Sequence, residues 1–181
     1  MPGLRSECVE LISDNGREEH CCICNEGGCS VALSDRGDTV LFIDGEEIDV
    51  GGNHCDCIVV LKRDSRLEVY SVELKDIRAR KWQGLEDALN PDKLRNKWCN
   101  CFRWIEQIVK GFRSSNSGNN VTYYAILAIP KEALHNVLNT STLIKRREPP
   151  LRPPKAKEVR IIPCNGSITG NAIKVYPSGK S

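Results

Sequence analysis

Two strand-like runs joined by a short polar link limit most sharply what this chain can fold into. His54-Cys-Asp-Cys-Ile-Val-Val-Leu-Lys62 and Leu67-Glu-Val-Tyr-Ser-Val-Glu-Leu-Lys75 are rich in β-branched and aromatic residues, with turn-like Arg63-Asp-Ser-Arg66 between them. That pattern predicts a hairpin of neighbouring strands. Residues two apart on a strand share a face, so Glu73 and Lys75 point the same way. With Asp56 opposite them, two carboxylates and an ammonium converge at one end of the hairpin. Such carboxylates suit Mg2+ or Mn2+, ions that prefer oxygen ligands.

The arrangement resembles the PD-(D/E)XK nuclease superfamily, which includes restriction endonucleases, Holliday junction resolvases and RecB-type exonucleases. Asp56 matches the motif aspartate, Glu73 the second acid, Leu74 the variable position and Lys75 the lysine. Cys55 stands where the motif has proline. The resemblance covers residues 1 to 130 and implies an α/β fold, a restriction-endonuclease-like core with a central mixed β-sheet flanked by helices. It also implies a metal-dependent nuclease acting on the phosphodiester bonds of DNA. Asp56 and Glu73, with the backbone carbonyl of Leu74, would bind Mg2+ or Mn2+, and Lys75 would position or deprotonate the attacking water. Glu10, on an expected first helix, is the family-like position for a further metal-binding acid, and Glu47 is the alternative. Gln83, eight residues past Lys75, matches a glutamine that some RecB-type members carry. Glu-x-Lys alone arises by chance about once in a chain of this length. The strand context and the upstream Asp56 give the motif its weight against a solvated pair at a strand end.

At 181 residues the chain is one domain, or one domain with an appendage. The division expected is a nuclease-like domain over 1–144 and a basic arm and tail over 145–181. No run of eighteen apolar residues spans a membrane, and the N-terminus lacks the apolar stretch of a secretory signal, so a cytoplasmic protein is expected. Net charge is +2, but residues 1–60 hold three Lys/Arg against thirteen Asp/Glu, whereas 61–181 hold twenty-three against eleven. That asymmetry suggests a basic surface able to follow a phosphate backbone. DNA, single-stranded or branched forms included, is the expected partner, and a homodimer the assembly to test.

Ten cysteines are many for a cytosolic protein. Intracellular proteins of hyperthermophilic archaea are disulfide-rich, and one Met and two Gln agree with a thermophilic source. Cys21, Cys22, Cys24 and Cys29 form a possible structural Zn2+ set, without the spacing of a paired CxxC ribbon. Cys55 and Cys57 are expected on one strand face, opposite Asp56 and too far apart to bond each other. Cys99 and Cys101 diverge on a helix and need different partners. The scatter favours separate disulfides or buried thiols over a single cluster. A non-catalytic nucleic-acid-binding or scaffold protein, or a zinc-stabilised interaction module around 20–29, are the competing functions.

Along the rest of the chain, 2–14 reads as a short helix, 20–29 as a loop, and 39–50 as a second hairpin turning at Asp44-Gly45. Helices are expected over 79–89 and from Leu94 to Phe112, where Leu94, Trp98, Phe102, Ile105 and Val109 recur at helical spacing. The opposite face of the second carries Lys93, Arg95, Lys97 and Arg103. Val121–Ile129 reads as a buried strand, 131–138 as a short helix and 158–163 as an edge strand. The Pro-rich stretch 145–155 is extended.

Overall fold

The computed structural model describes residues 8–12, 18–26, 28–32, 38–63, 66–75, 89–113, 120–134, 151–168 and 173–174. The strands are β1 (Cys8–Ile12), β2 (Glu18–Glu26), β3 (Cys29–Ala32), β4 (Asp38–Asp44), β5 (Cys57–Arg63) and β6 (Arg66–Leu74). After helix α1 (Pro91–Arg113) come β7 (Asn120–Ile129), β8 (Ala156–Pro163), β9 (Gly166–Ser167) and β10 (Ile173–Lys174). A six-stranded mixed sheet runs β10-β8-β7-β6-β5-β4, and a four-stranded sheet runs β1-β2-β3-β9. The class is α/β.

The hairpin at the heart of the sequence forms as expected. β5 and β6 pair antiparallel from Cys57↔Val72 to Arg63↔Arg66, which leaves a two-residue link at 64–65. Both strands are near-continuous apolar runs because both faces of this sheet are covered. Ile58, Val60, Val69, Leu127 and Ile161 pack toward α1, while Val59, Leu61, Val72, Ile126 and Ile162 pack toward β3 of the smaller sheet. The expected flanking by helices therefore holds on one face only among the described residues. A second sheet occupies the other.

Helix α1 starts where its sequence says it should. The Asn90 side-chain oxygen accepts from the N–H groups of Asp92 and Lys93, at 3.0 and 3.1 Å, and Pro91 takes the first helical position. Its apolar stripe, Leu94, Trp98, Phe102, Ile105 and Val109, is buried to 2% exposure or less. Each such side chain stabilises the fold by about 1.5–3 kcal/mol.

Three local expectations are corrected. Residues 8–12 are strand β1, not helix, because β2 offers a full antiparallel partner from Cys8↔Cys22 to Ile12↔Glu18. Periodicity cannot arbitrate so short an apolar run, and a short lone helix gains little. Residues 20–29, read as a loop, belong mainly to β2, which turns at Gly28 into β3. The second hairpin does not form. The Asp44 side chain instead accepts from Glu46 N and caps a 3-10 turn over Gly45–Glu47.

The stretch expected as an edge strand is interior: β8 lies parallel to β7, with β10 on its outer side. Residues 156–174, within the expected arm and tail, thus give strands to both sheets. Just before them Leu151 is buried in the cluster that holds α1, and Lys155 pairs with Glu106 of that helix.

Candidate functional site

The β5–β6 register, continued by one residue, sets Asp56 opposite Glu73. Asp56 N–H donates to Val72 O at 2.9 Å, and its Oδ2 accepts the N–H of Leu74. Glu73 is fully buried, and its Oε1 accepts ion pairs from Lys75 and, at 2.6 Å, from Lys97 of α1. The site sits at the carboxyl end of β6, which runs parallel to β7, the usual placement for ligands in open α/β sheets.

Burial pushes the Asp56 carboxyl up to about 8, helped by the charge of Glu73 and by a hydrogen bond and charge from Glu26; the Leu74 N–H pulls the other way. Burial lowers the Lys97 ammonium, but the charge and hydrogen bond of Glu73, then Asp56 and Glu26, leave it above the ordinary lysine value. Beside Asp56 opens a cleft of about 340 Å³ whose polar wall includes Glu26, Asp44, Glu46 and His54.

Asp56, Glu73 and Lys75 are therefore brought together as their spacing suggested, with Leu74 bonded to Asp56 through its N–H. Glu10 is not part of a helix: it lies in β1 opposite His20. Glu47 belongs to the 3-10 turn, and Gln83 lies outside the described residues. Two participants escaped sequence reading. Lys97 stands out in the sequence only as one of the bases opposite the apolar stripe of its helix, though it lies four residues before Cys101, which is tied to Cys55. Glu26 reaches Asp56 from β2, which Cys24 bonds to Cys57, and no local spacing announced it.

The cysteines beside Asp56 diverge instead of sharing a face. Cys55 joins the helix-side core and bonds Cys101, while Cys57 joins the opposite core and bonds Cys24. Strand alternation begins only after the bend at Asp56. A third disulfide joins Cys29 to Cys164, and Cys99 is a free thiol. Cys24 and Cys29 thus have no thiolate to offer Zn2+, which removes two of the four proposed ligands.

Among the described residues no three His, Cys, Asp or Glu side chains form a preassembled metal set. The pair Asp56 and Glu73 fits a hard divalent ion in another respect. Glu73 Oε2 is buried with no hydrogen-bond partner among the described residues, an uncompensated oxygen of the kind a cation satisfies. Fold and site together define an α/β protein with a carboxylate–lysine cluster at the end of a central hairpin. Compared with family models, curated proteins and solved structures, the chain finds no match in any of the three. No helix among the described residues is long and apolar enough to cross a membrane.

Proposed function

We propose that the chain is a metal-dependent nuclease of the PD-(D/E)XK type, hydrolysing phosphodiester bonds of DNA. The observation that carries this is the placement of Asp56 directly opposite Glu73, with Lys75 on the Glu73 carboxylate. Part of the order of elements supports it: the hairpin β5–β6, then α1, then β7 parallel to β6, follows the hairpin, helix and strand of the family core, whereas residues 8–12, where the core's first helix was expected, form strand β1.

Asp56 and Glu73 would hold Mg2+ or Mn2+, which supplies charge neutralisation at the phosphate and a more acidic water. Lys75, 22% exposed, reaches both the buried carboxylate and solvent, so its ammonium can orient the attacking water. The N–H of Leu74 holds one oxygen of the Asp56 carboxylate in place. A cytoplasmic hyperthermophile protein remains part of the proposal, since such cells tolerate disulfides.

The test is cleavage of labelled duplex, single-stranded and branched DNA with Mg2+, Mn2+ or EDTA at elevated temperature. Asp56→Ala and Lys75→Ala should each lower the rate about 100-fold or more. A wild-type protein that cuts none of these substrates with either metal would sink the proposal and favour a nucleic-acid-binding protein on the same fold.

A further inference from the structure

One buried oxygen carries more positive charge than it needs. Glu73 Oε1 is held by Lys75 and by Lys97, whose side chain is 26% exposed, while Oε2 has no hydrogen-bond partner among the described residues. A single ammonium suffices to compensate a buried carboxylate, and burying a second costs desolvation. Lys97 is also anchored firmly. Cys101 lies one turn further along α1, on the same helix face, and is bonded to Cys55 beside Asp56. The helix is thus tied to both segments that supply the carboxylates, by an ion pair to one and a covalent bond to the other.

We propose that Lys97 is a positioning residue that competes with the divalent cation for Glu73 and, by sharing Oε1 with Lys75, weakens the hold of Glu73 on the Lys75 ammonium and so leaves it available to the attacking water. The role rests on the metal-dependent cleavage proposed above. Its physical content is a pair of opposed effects. The Lys97 ammonium repels an incoming dication, so its removal tightens cation binding. It also shares the compensation of Glu73 with Lys75, so its removal leaves Lys75 as the counter-ion on Oε1, held more tightly, and slows turnover. A residue that only supports the fold would weaken binding and rate together. One that contacts a DNA phosphate would lower the salt dependence of DNA binding.

The experiment compares full-length wild type, Lys97→Met, Lys97→Arg and Asp56→Ala. Mn2+ is titrated calorimetrically without DNA, and single-turnover cleavage is measured at saturating Mn2+. Melting temperatures and the salt dependence of DNA binding are recorded alongside. Lys97→Met should bind Mn2+ about threefold more tightly or better. It should cut about tenfold more slowly, with an unchanged salt slope and little change in KM for DNA. Lys97→Arg, which keeps the charge, should stay close to wild type in both. Weaker or unchanged Mn2+ binding by Lys97→Met, an unchanged rate, or a salt slope reduced by about one unit overturns the proposal. If wild type binds Mn2+ through Asp56 yet cuts no DNA, the nuclease reading and the release of Lys75 both fail, while the Mn2+ comparison still decides the competition. If wild type binds no Mn2+, or Asp56→Ala binds it equally well, the metal site itself fails and Lys97's role with it.

Discussion

At Gly45 an added methyl carbon would meet the carbonyl oxygen of Asp56 at 2.7 Å and that of Cys55 at 2.9 Å. Gly45 N–H already donates to the same Asp56 oxygen at 2.7 Å. The Asp-Gly pair that resembles a hairpin turn is used instead for close approach of one backbone to another, and the motif aspartate is what it approaches. Gly45→Ala should destabilise the protein by about 1–3 kcal/mol, typical of overpacking, and should lower cleavage beyond what the loss of folded protein explains. Denaturant melts and active-site titration check this. Asp56 also sets a pH signature in metal-free protein. Its carboxyl, at about 8 when folded against an ordinary 3.8, binds more protons folded than unfolded between those values. The stability it contributes is present in full below about pH 4 and is lost as pH rises toward about 8. In EDTA the denaturation midpoint should therefore fall between pH 5 and pH 8, and Asp56→Asn should flatten that fall. An Asn variant as steep as wild type would assign the slope to other groups.

Two elements carry the site, and they differ in how openly the sequence declares them. The β5–β6 hairpin was legible because its strands are long, apolar and bounded by a polar link, and because Glu73 and Lys75 sit two apart on one face. Helix α1 was legible through its stripe from Leu94 to Val109 and through Asn90-Pro91 at its start. Its role was not, since Lys97 looks like any surface lysine until Cys101 and Cys55 fix which way the helix is turned. β1 and β2 were misread for a different reason: their short runs gain their identity from pairing with each other. The Cys55–Cys101 bond spans 46 residues, worth about 4 kcal/mol if chain entropy alone is counted. Cys55→Ser with Cys101→Ser should lower the melting temperature, and should cost more cleavage than a matched pair of changes at Cys29 and Cys164. Equal losses from the two pairs would show that α1 does not depend on this tie for its placement.

Across the whole molecule, one sheet is shared between two cores. One is built with α1 and the other with the small sheet, and the site lies at the rim where elements from both meet: Lys97 from the helix side and Glu26 from the sheet side. Charge is divided as well, with the acid-rich first sixty residues supplying Glu26, Asp44, Glu46 and Asp56 to the cleft. On the proposed function, the basic remainder would be the part that meets phosphate. DNA affinity should fall steeply and linearly on a log–log plot against salt, and Asp56→Ala should leave that slope unchanged while removing cleavage. A slope near zero would deny the basic surface any part in binding. The Cys29–Cys164 bond, which joins residues 135 apart, has a consequence of another kind. Tension applied through the segments outside it passes from residue 29 straight to residue 164, so the stretch between them bears almost no load. Pulled by its ends, the oxidised chain would pay out only its outer segments, while the hairpin and helix that form the site stayed slack behind a covalent bypass.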